Sequence, residues 1–360
     1  MKRILIVLAL SGVAFIAGCK EDGFDNKNNT TDGWTISAIG DASAENGEIN
    51  TVCDGSDKLH VCYSSCNGSI KYATNKTGSW VKTTLASEAG NLLTVSDHGI
   101  AIDRSNKVHI IYATETIETQ KKTNIYYTTD KSGTLETELI YTADGSCSKM
   151  DIAATADGHV HIVFGDENHH LMYKNNLSGS WTISQIDSYW VSVDPSLALD
   201  ANENLYVAYN HAGEQTLKLQ LIDAAGNLVC NSALDDSGDI GSPSICIDKA
   251  NGAVNIIYWE YLTGETKLYN NGIINLVETK SWSAGGIVLD RDGNRHMTYV
   301  VGNVLKLATR STEGLTIDIL PGRVSSSLSD VVVDSTGNIY VVYQSGSTHD
   351  LCVISNKYIS

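Results

Sequence analysis

The side chains of this 360-residue chain that could do chemistry fall into two groups. The first is aromatic and acidic: Tyr189 and Trp190 in "DSYWVSVDP", Trp259, Glu260 and Tyr261 in "YWEYLTGE", and Trp282 in "ETKSWSAGG". Exposed rings beside carboxylates suit sugar recognition, because the ring face takes C–H groups and the carboxylate takes hydroxyls. The same rings could instead pack loop to loop. The second group sets histidine beside acid: Asp97 and His98 in "SDHG", which are expected on one face, and Asp166, Glu167, His169 and His170 in "GDENHHLMY". Such side chains could hold a metal or act as acid and base, or they could belong to solvated polar loops. Adjacent histidines on a strand point to opposite faces, so at most one of His169 and His170 joins a given site. No residue is assigned a catalytic role.

A repeat must position these groups. "DRSNKVHIIY" at 103–112 returns as "DGSDKLHVCY" at 54–63, "DANENLYVAY" at 200–209, "DRDGNRHMTY" at 290–299 and "DSTGNIYVVY" at 334–343. "TADGHVHIVF" at 155–164 and "DKANGAVNIIY" at 248–258 are imperfect copies. The closing aromatics, Tyr63, Tyr112, Phe164, Tyr209, Tyr258, Tyr299 and Tyr343, stand 49, 52, 45, 49, 41 and 44 residues apart. Each unit reads as four short strands, such as "HGIAID", "KVHIIY", "TNIYYTT" and "LETELIY". Four strands per unit of about 45 residues predict an all-β fold, a seven-bladed β-propeller of four-stranded antiparallel blades. The final unit runs out after three strands, and "GWTISAIG" at 33–40 resembles the fourth strand "SWTISQID" at 180–187. An N-terminal strand should therefore complete the last blade and close the ring.

The repeat also sorts its own residues. The leading Asp can accept hydrogen bonds from its turn. Three residues before each closing aromatic stand His60, His109, His161, Tyr206, Asn255, His296 and Tyr340. A buried imidazole needs a partner, and the repeated Asp, reached across a blade interface, is expected to supply it. Trp34, Trp80 and Trp181 open fourth strands and belong to the repeat, whereas Trp190, Trp259 and Trp282 break it.

The first residues read as targeting sequence. Lys2 and Arg3 precede an apolar stretch from Ile4 to Ile16, too short to span a bilayer. It ends in Ile16-Ala17-Gly18-Cys19, which resembles the lipobox of bacterial lipoproteins. The resemblance implies a signal peptide at 1–18, a lipid on Cys19, and a cell-envelope location. Lys20 in place of Asp after that Cys favours the outer membrane by similarity to enterobacterial sorting. Residues 19–33 would form the lipidated end and a polar tether, and 34–360 the propeller. Contact with a membrane is expected through the lipid only.

The formal net charge of −17 argues against nucleic acid and against docking on anionic lipid. Eight cysteines fit an oxidising compartment. Cys53 and Cys62 lie on the two arms of one expected hairpin and could be bonded across it. No C-x-x-C pair suggests zinc or redox chemistry. No cofactor is called for, calcium being the one ion the carboxylates could recruit.

The mature chain resembles seven-bladed propellers of the sialidase-like type on bacterial surfaces. That resemblance is one of architecture. The S-x-D-x-G-x-T-W box is absent, and Arg104, Arg291, Arg295, Arg310 and Arg323 cannot supply a three-arginine clamp. In propellers generally, ligands sit on the face carrying the strand 2–3 loops and the loops into the next blade. This implies a site at Tyr189, Trp190, Trp259, Glu260, Tyr261 and Trp282, unless those rings plug the mouth of a central channel. The expected function is a lipid-anchored binding module for a glycan or a surface protein. The alternatives are a polysaccharide lyase or glycoside hydrolase, which Lys121 and Lys122 could assist, and a structural platform in an envelope assembly.

Overall fold

A computed structural model describes residues 33–42, 48–65, 68–87, 93–116, 121–188 and 194–357, and every regular element in them is a β-strand. After β1 (Thr35–Ala42) come five four-stranded antiparallel sheets in simple order. The first holds β2 (Ile49–Cys53), β3 (Leu59–Ser64), β4 (Ile70–Thr74) and β5 (Val81–Ala86); the second β6 (Leu93–Ile102), β7 (Val108–Thr116), β8 (Thr123–Thr129) and β9 (Glu136–Ala143). The third holds β10 (Ser148–Ala154), β11 (Val160–Gly165), β12 (Leu171–Asn175) and β13 (Thr182–Asp187); the fourth β14 (Ser196–Leu199), β15 (Leu205–His211), β16 (Thr216–Ile222) and β17 (Leu228–Asp235). The fifth holds β18 (Ile240–Ile247), β19 (Val254–Glu260), β20 (Glu265–Asn270) and β21 (Ile273–Glu278). The remaining strands are β22 (Ser283–Leu289), β23 (Arg295–Val301), β24 (Val304–Ser311), β25 (Gly314–Val333), β26 (Ile339–Ser345) and β27 (Asp350–Ser355).

The expected seven separate blades are corrected here. Five four-stranded blades form, and β22 to β27 with β1 make one seven-stranded sheet. The cause is β25, which runs for 20 residues without a break. Its first half pairs with β24 as far as Arg323, and its second half pairs with β26 from Val324. The sequence period counts repeats and does not show whether the link between two of them stays hydrogen-bonded. The N-terminal strand pairs antiparallel with β27, Thr35 opposite Ser355.

The core lies between sheet faces. One cluster joins Ile111, Ile125 and Tyr127 of the second repeat to Ile152, Ile162 and Phe164 of the third. The closing aromatics Tyr63, Phe164, Tyr209, Tyr258, Tyr299 and Tyr343 are fully buried, each worth roughly 2–3 kcal/mol of removed apolar surface. Trp34 packs against Leu305 and Leu320, and Trp80 against the β26–β27 face, so fourth-strand tryptophans seal onto the preceding unit.

The leading Asp works as expected within its turn. Asp54 Oδ1 accepts from the Ser56 and Lys58 amides at 2.8 and 2.9 Å, and Asp103 repeats this with Ser105 and Lys107. The histidine partnership is different in one respect: it forms inside a blade, not across an interface. His60 Nε2 lies 3.3 Å from Asp54 and its Nδ1 lies 2.5 Å from the Tyr72 hydroxyl. His109 does the same with Asp103 and Tyr127. An acid can only accept here, so the Nε2–H donates to Asp and Nδ1 accepts from tyrosine. Burial holds His60 and His109 below the usual imidazole range, which keeps this neutral tautomer.

Bonds between units come from another position. Four residues before the repeated Asp, Asp151 accepts from the Leu197 amide of the next innermost strand at 2.8 Å. Ser196 accepts from Ile245, Ser244 from Ile287, and Asp330 from Thr51 across the ring closure. The second and sixth repeats carry Gly99 and Gly286 at this position and have no side chain to offer. In the unit after each stands an aspartate, whose other oxygen caps its own following amide: Asp151 to Ile152 at 2.7 Å, and Asp330 to Val331 at 2.8 Å. A Cβ at 286 would sit 2.4 Å from the Asp330 carboxylate, so Asp330 in this position requires glycine at 286.

The cysteines do not follow the hairpin expectation. Cys53 faces Leu59 and Cys62 faces Asn50, and both are free thiols, as are Cys147, Cys230 and Cys246. Cys352 is in a disulfide.

Two substitutions test these bonds. Asp330→Ala strands two amides and is expected to cost about 2–4 kcal/mol, against about 1 kcal/mol for Ser244→Ala, read by denaturant unfolding. The third repeat has Thr155 in place of Asp, and His161 Nε2 is buried without a partner. Thr155→Asp should therefore raise the thermal midpoint, while Asp103→Thr lowers it.

Candidate functional site

The innermost strands surround an axial channel of about 820 Å³. Six residues before each repeated Asp stand Glu48, Asp97, Lys149 and Asp194 in successive units, followed by Ser242 and Ala284; all but Asp97, which is buried beside Glu48, line one mouth of the channel. The ladder is irregular here. The register of β10 shifts between Ser148 and Met150, leaving Lys149 as the bulged residue, and β6, β18 and β22 shift at the same level. Bulges turn side chains out of the sheet plane, which is how a regular strand can present a charge to a channel mouth. One half of the rim is therefore charged and the other half, at Ser242 and Ala284, is not.

Lys149 is the centre of the charged half. Its ammonium pairs with Glu48 and lies 3.6 Å from Asp194. Asp97 accepts from the amides of His98 and Met150 at 2.8 and 2.5 Å. Burial and the neighbouring Glu48 carboxylate hold the Asp97 carboxyl well above the usual range. Burial opposes ionisation of Glu48 too, but the hydrogen bond with Asp97 and the Lys149 charge outweigh it and hold Glu48 low. Deeper in the channel, burial pushes Asp151 up to about 7 and Asp330 up to about 6.

The aromatic group adjoins this rim. Trp259 and Tyr261 pack with ring centroids 4.4 Å apart. The Tyr261 ring lies over Gly241, where any Cβ would meet it at 2.5 Å. Burial and the Asp194 and Asp239 carboxylates raise the Tyr261 hydroxyl, which places that ring within electrostatic reach of the channel mouth. The Trp259 Nε1–H donates to the Ser281 carbonyl at 3.0 Å, and Ser281 is itself tied to Thr266 and Gly264. The next residue, Trp282, is 61% exposed on this braced loop, and Tyr261 is 50% exposed.

Other expected site residues have structural occupations. Glu260 is buried and ion-paired with Lys267 at 2.5 Å, so it is not free to bind a hydroxyl. Asp97 and His98 do not share a face. Asp97 reaches toward β10, while His98 Nε2 lies 3.1 Å from the Glu48 carbonyl on the β2 side, as strand alternation requires. His98 is fully buried and is pushed down to about 4 by burial, so it meets no substrate. Asp166 closes its own turn by accepting from Asn168 and His170, and its second oxygen lies 3.1 Å from His170 Nδ1. His169 sits in that turn at φ 62° and Glu167 packs over Gly145. Among the described residues no group of three histidine, cysteine or acidic side chains could hold a metal ion. Lys121 and Lys122 pair with Glu115 and Asp144. Tyr189 and Trp190 lie outside the described residues.

Sequence reasoning missed Glu48, Lys149, Asp194 and Asp239. The first three were within reach, since reading the repeat backwards by six residues aligns them with Asp97.

No family model and no curated protein matches the chain. The likeness to sialidase-type propellers is thus without support, and it is withdrawn together with the seven-blade count. Solved propellers do superpose. The SapL1 lectin in complex with α-methyl fucoside is 10% identical, with a TM-score of 0.50, covering 78% of this chain and 98% of its own. A mutant Aleuria aurantia lectin in complex with Fucα1-6GlcNAc is 11% identical, with a TM-score of 0.51 and the same coverages. The Cps50 (Swd1) propeller domain of Myceliophteria thermophila is 8% identical, with a TM-score of 0.53, covering 90% of this chain and 100% of its own. At these identities the likeness is one of fold: an all-β propeller of four-stranded antiparallel blades.

Lys149→Met tests the rim. Without the ammonium, the Glu48 carboxyl rises above its unfolded value, the folded state then holds the extra proton, and stability falls as pH rises through that window. The variant should lose about 1–2 kcal/mol at pH 8, a figure discounted for the partial exposure of Lys149, and less at pH 5 by chemical denaturation.

Proposed function

We infer that this chain is a binding module of the cell envelope, anchored by lipid on Cys19, whose ligand is a glycan taken at the rim between Trp282, Tyr261 and the channel mouth. The observation that carries the reading is the exposure of Trp282 and Tyr261 on braced backbone, with Tyr261 in electrostatic reach of Asp194 and Lys149. A sugar needs an apolar plate for its C–H face and fixed polar groups for its hydroxyls, and this rim offers both. Two of the superposing propellers are lectins in complex with fucosides, which supports the reading and makes fucosides the first probes.

Charge narrows the ligand class. Glu48, Asp194 and Asp239 outnumber Lys149, which is already paired, and the whole chain carries −17. Neutral saccharides fit such a rim; uronates and sialylated chains are repelled by it. A surface protein rich in hydroxyl and apolar groups is the other ligand class of this rim.

The test is a glycan and polysaccharide array probed with the purified chain, with and without calcium, each sample assayed for bond cleavage. Neutral glycans should bind and remain intact. Trp282→Ala and Tyr261→Ala should each weaken binding by about tenfold, about 1.4 kcal/mol, with unchanged thermal midpoints. Binding that survives both substitutions would place the site elsewhere, and cleavage would make the protein an enzyme. The mass of the N-terminal peptide checks the lipid on Cys19.

A further inference from the structure

The outer strands of the ring differ sharply between its two halves. In the first three repeats, β5, β9 and β13 each expose a single large apolar side chain, Val81, Leu139 and Ile183. Charges stand on the same strands: Lys82, Glu136, Glu138 and Asp187. In the next three repeats, β17 exposes Leu228 and Val229, β21 exposes Ile273, Ile274 and Leu276, and β25 exposes Ile317 and Ile319 with Asp318 as the one exposed charge between them. Ile319 is 70% exposed and Ile273 63%. An apolar sector spanning three consecutive outer strands is more than the scattered exposure any surface carries.

The chain's entry point lies beside this sector. Trp34, at the start of the ring, packs against Leu320, the residue after Ile319. Fourteen residues, 20–33, separate the entry from Cys19, and fourteen residues span at most about 50 Å. A lipid on Cys19 at the far end of that tether leaves the apolar sector within reach of the bilayer.

We propose that the rim formed by β17, β21 and the first half of β25 docks edge-on against the bilayer surface to which Cys19 is anchored. The proposal rests on the lipid anchor inferred above and goes beyond contact through the lipid alone. Docking is shallow. Outer strands have one unpaired edge, whose amides and carbonyls must keep water or headgroups as partners, so only side-chain tips enter the interface. The surface is zwitterionic, because the net charge of −17 is repelled by anionic lipid. The ring then stands upright, and Trp282, Tyr261 and the channel mouth open sideways along the membrane.

The test uses the full lipidated chain in phosphatidylcholine vesicles. Cys230 is a free, exposed thiol next to Val229 on β17 and takes an environment-sensitive fluorophore. A Cys230→Ser, Glu136→Cys variant carries the same probe on β9, and peptide mass confirms each labelled site. Brominated lipid should quench the Cys230 probe several-fold more than the residue-136 probe. Ile273→Asp with Ile319→Asp should bring the Cys230 probe to the level of the control while the Cys19 lipid stays in place. Equal quenching of the two probes on a lipidated chain overturns the docking alone. An intact mass without lipid overturns the anchor, and the docking with it. Protection of Cys230 that grows with protein concentration and needs no vesicles assigns the rim to a second copy of the chain, and the proposal fails.

Discussion

The structure depends on a constraint at its axis. Each blade ends inward in a strand with no neighbour on its channel side, and the amides of that strand still need partners. Pairing the inner strands directly would close them into a barrel and leave no room for splayed blades. The chain instead sends a side chain from four of its units to an amide of the next, through Asp151, Ser196, Ser244 and Asp330. These bonds fix the spacing of the units and leave the channel open. Where glycine removes the side chain, at Gly99 and Gly286, the following aspartate serves two amides, and burial raises its carboxyl as a consequence. The raised carboxyls of Asp151 and Asp330 are thus explained by ring construction.

A second set of interunit bonds lies at the opposite end of the strands. Three residues after the repeated Asp, Asp57, Asn106 and Glu203 all have φ between 58° and 63°. Each reaches into the turn of the preceding unit: Asp57 to Ser335, Asn106 to Gly55, and Glu203 to Ala156. Gly158, Gly293 and Gly337 adopt the same left-handed backbone without a side chain to reach with. The turn needs the conformation, and the non-glycine residues that tolerate it gain a neighbour. The ring is held by side chains at both ends of its inner hairpins, so the loops at the rim need not hold it together.

That division explains what was legible in the sequence. The phrase ending in Tyr63, Tyr112 and their equivalents is dictated by burial between faces, which every unit must satisfy alike, so it recurs and reveals strands, order and architecture. The Asp–His–Tyr groups were half legible. The need for a partner followed from burial, but whether the bond lay within or between blades depended on strand spacing that a repeat does not encode. The continuity of β25 was illegible for a similar reason, since Pro321 and Gly322 look like a break and the strands on either side stay paired. Trp259 and Trp282 stood out in the sequence because they break the repeat. Glu48, Lys149 and Asp194 were missed because they obey it in position while differing in type.

This last distinction bears on how such a ring acquires a binding rim. A position that recurs in every unit returns to the same end of each inner strand, whatever residue fills it, and a local bulge such as that at Lys149 adjusts how the side chain is presented. Substitution there changes chemistry without touching the bonds two residues further on that hold the ring. Glu48, Lys149 and Asp194 on one half, with Ser242 and Ala284 on the other, turn a symmetric scaffold into a polar mouth with a direction. The charges also restrain one another. Lys149 is held between Glu48 and Asp194, and Asp97 is held by two amides, so the mouth is fixed before any ligand arrives. A ligand then meets groups whose ordering cost has already been met in folding, and a shallow site can bind with few contacts.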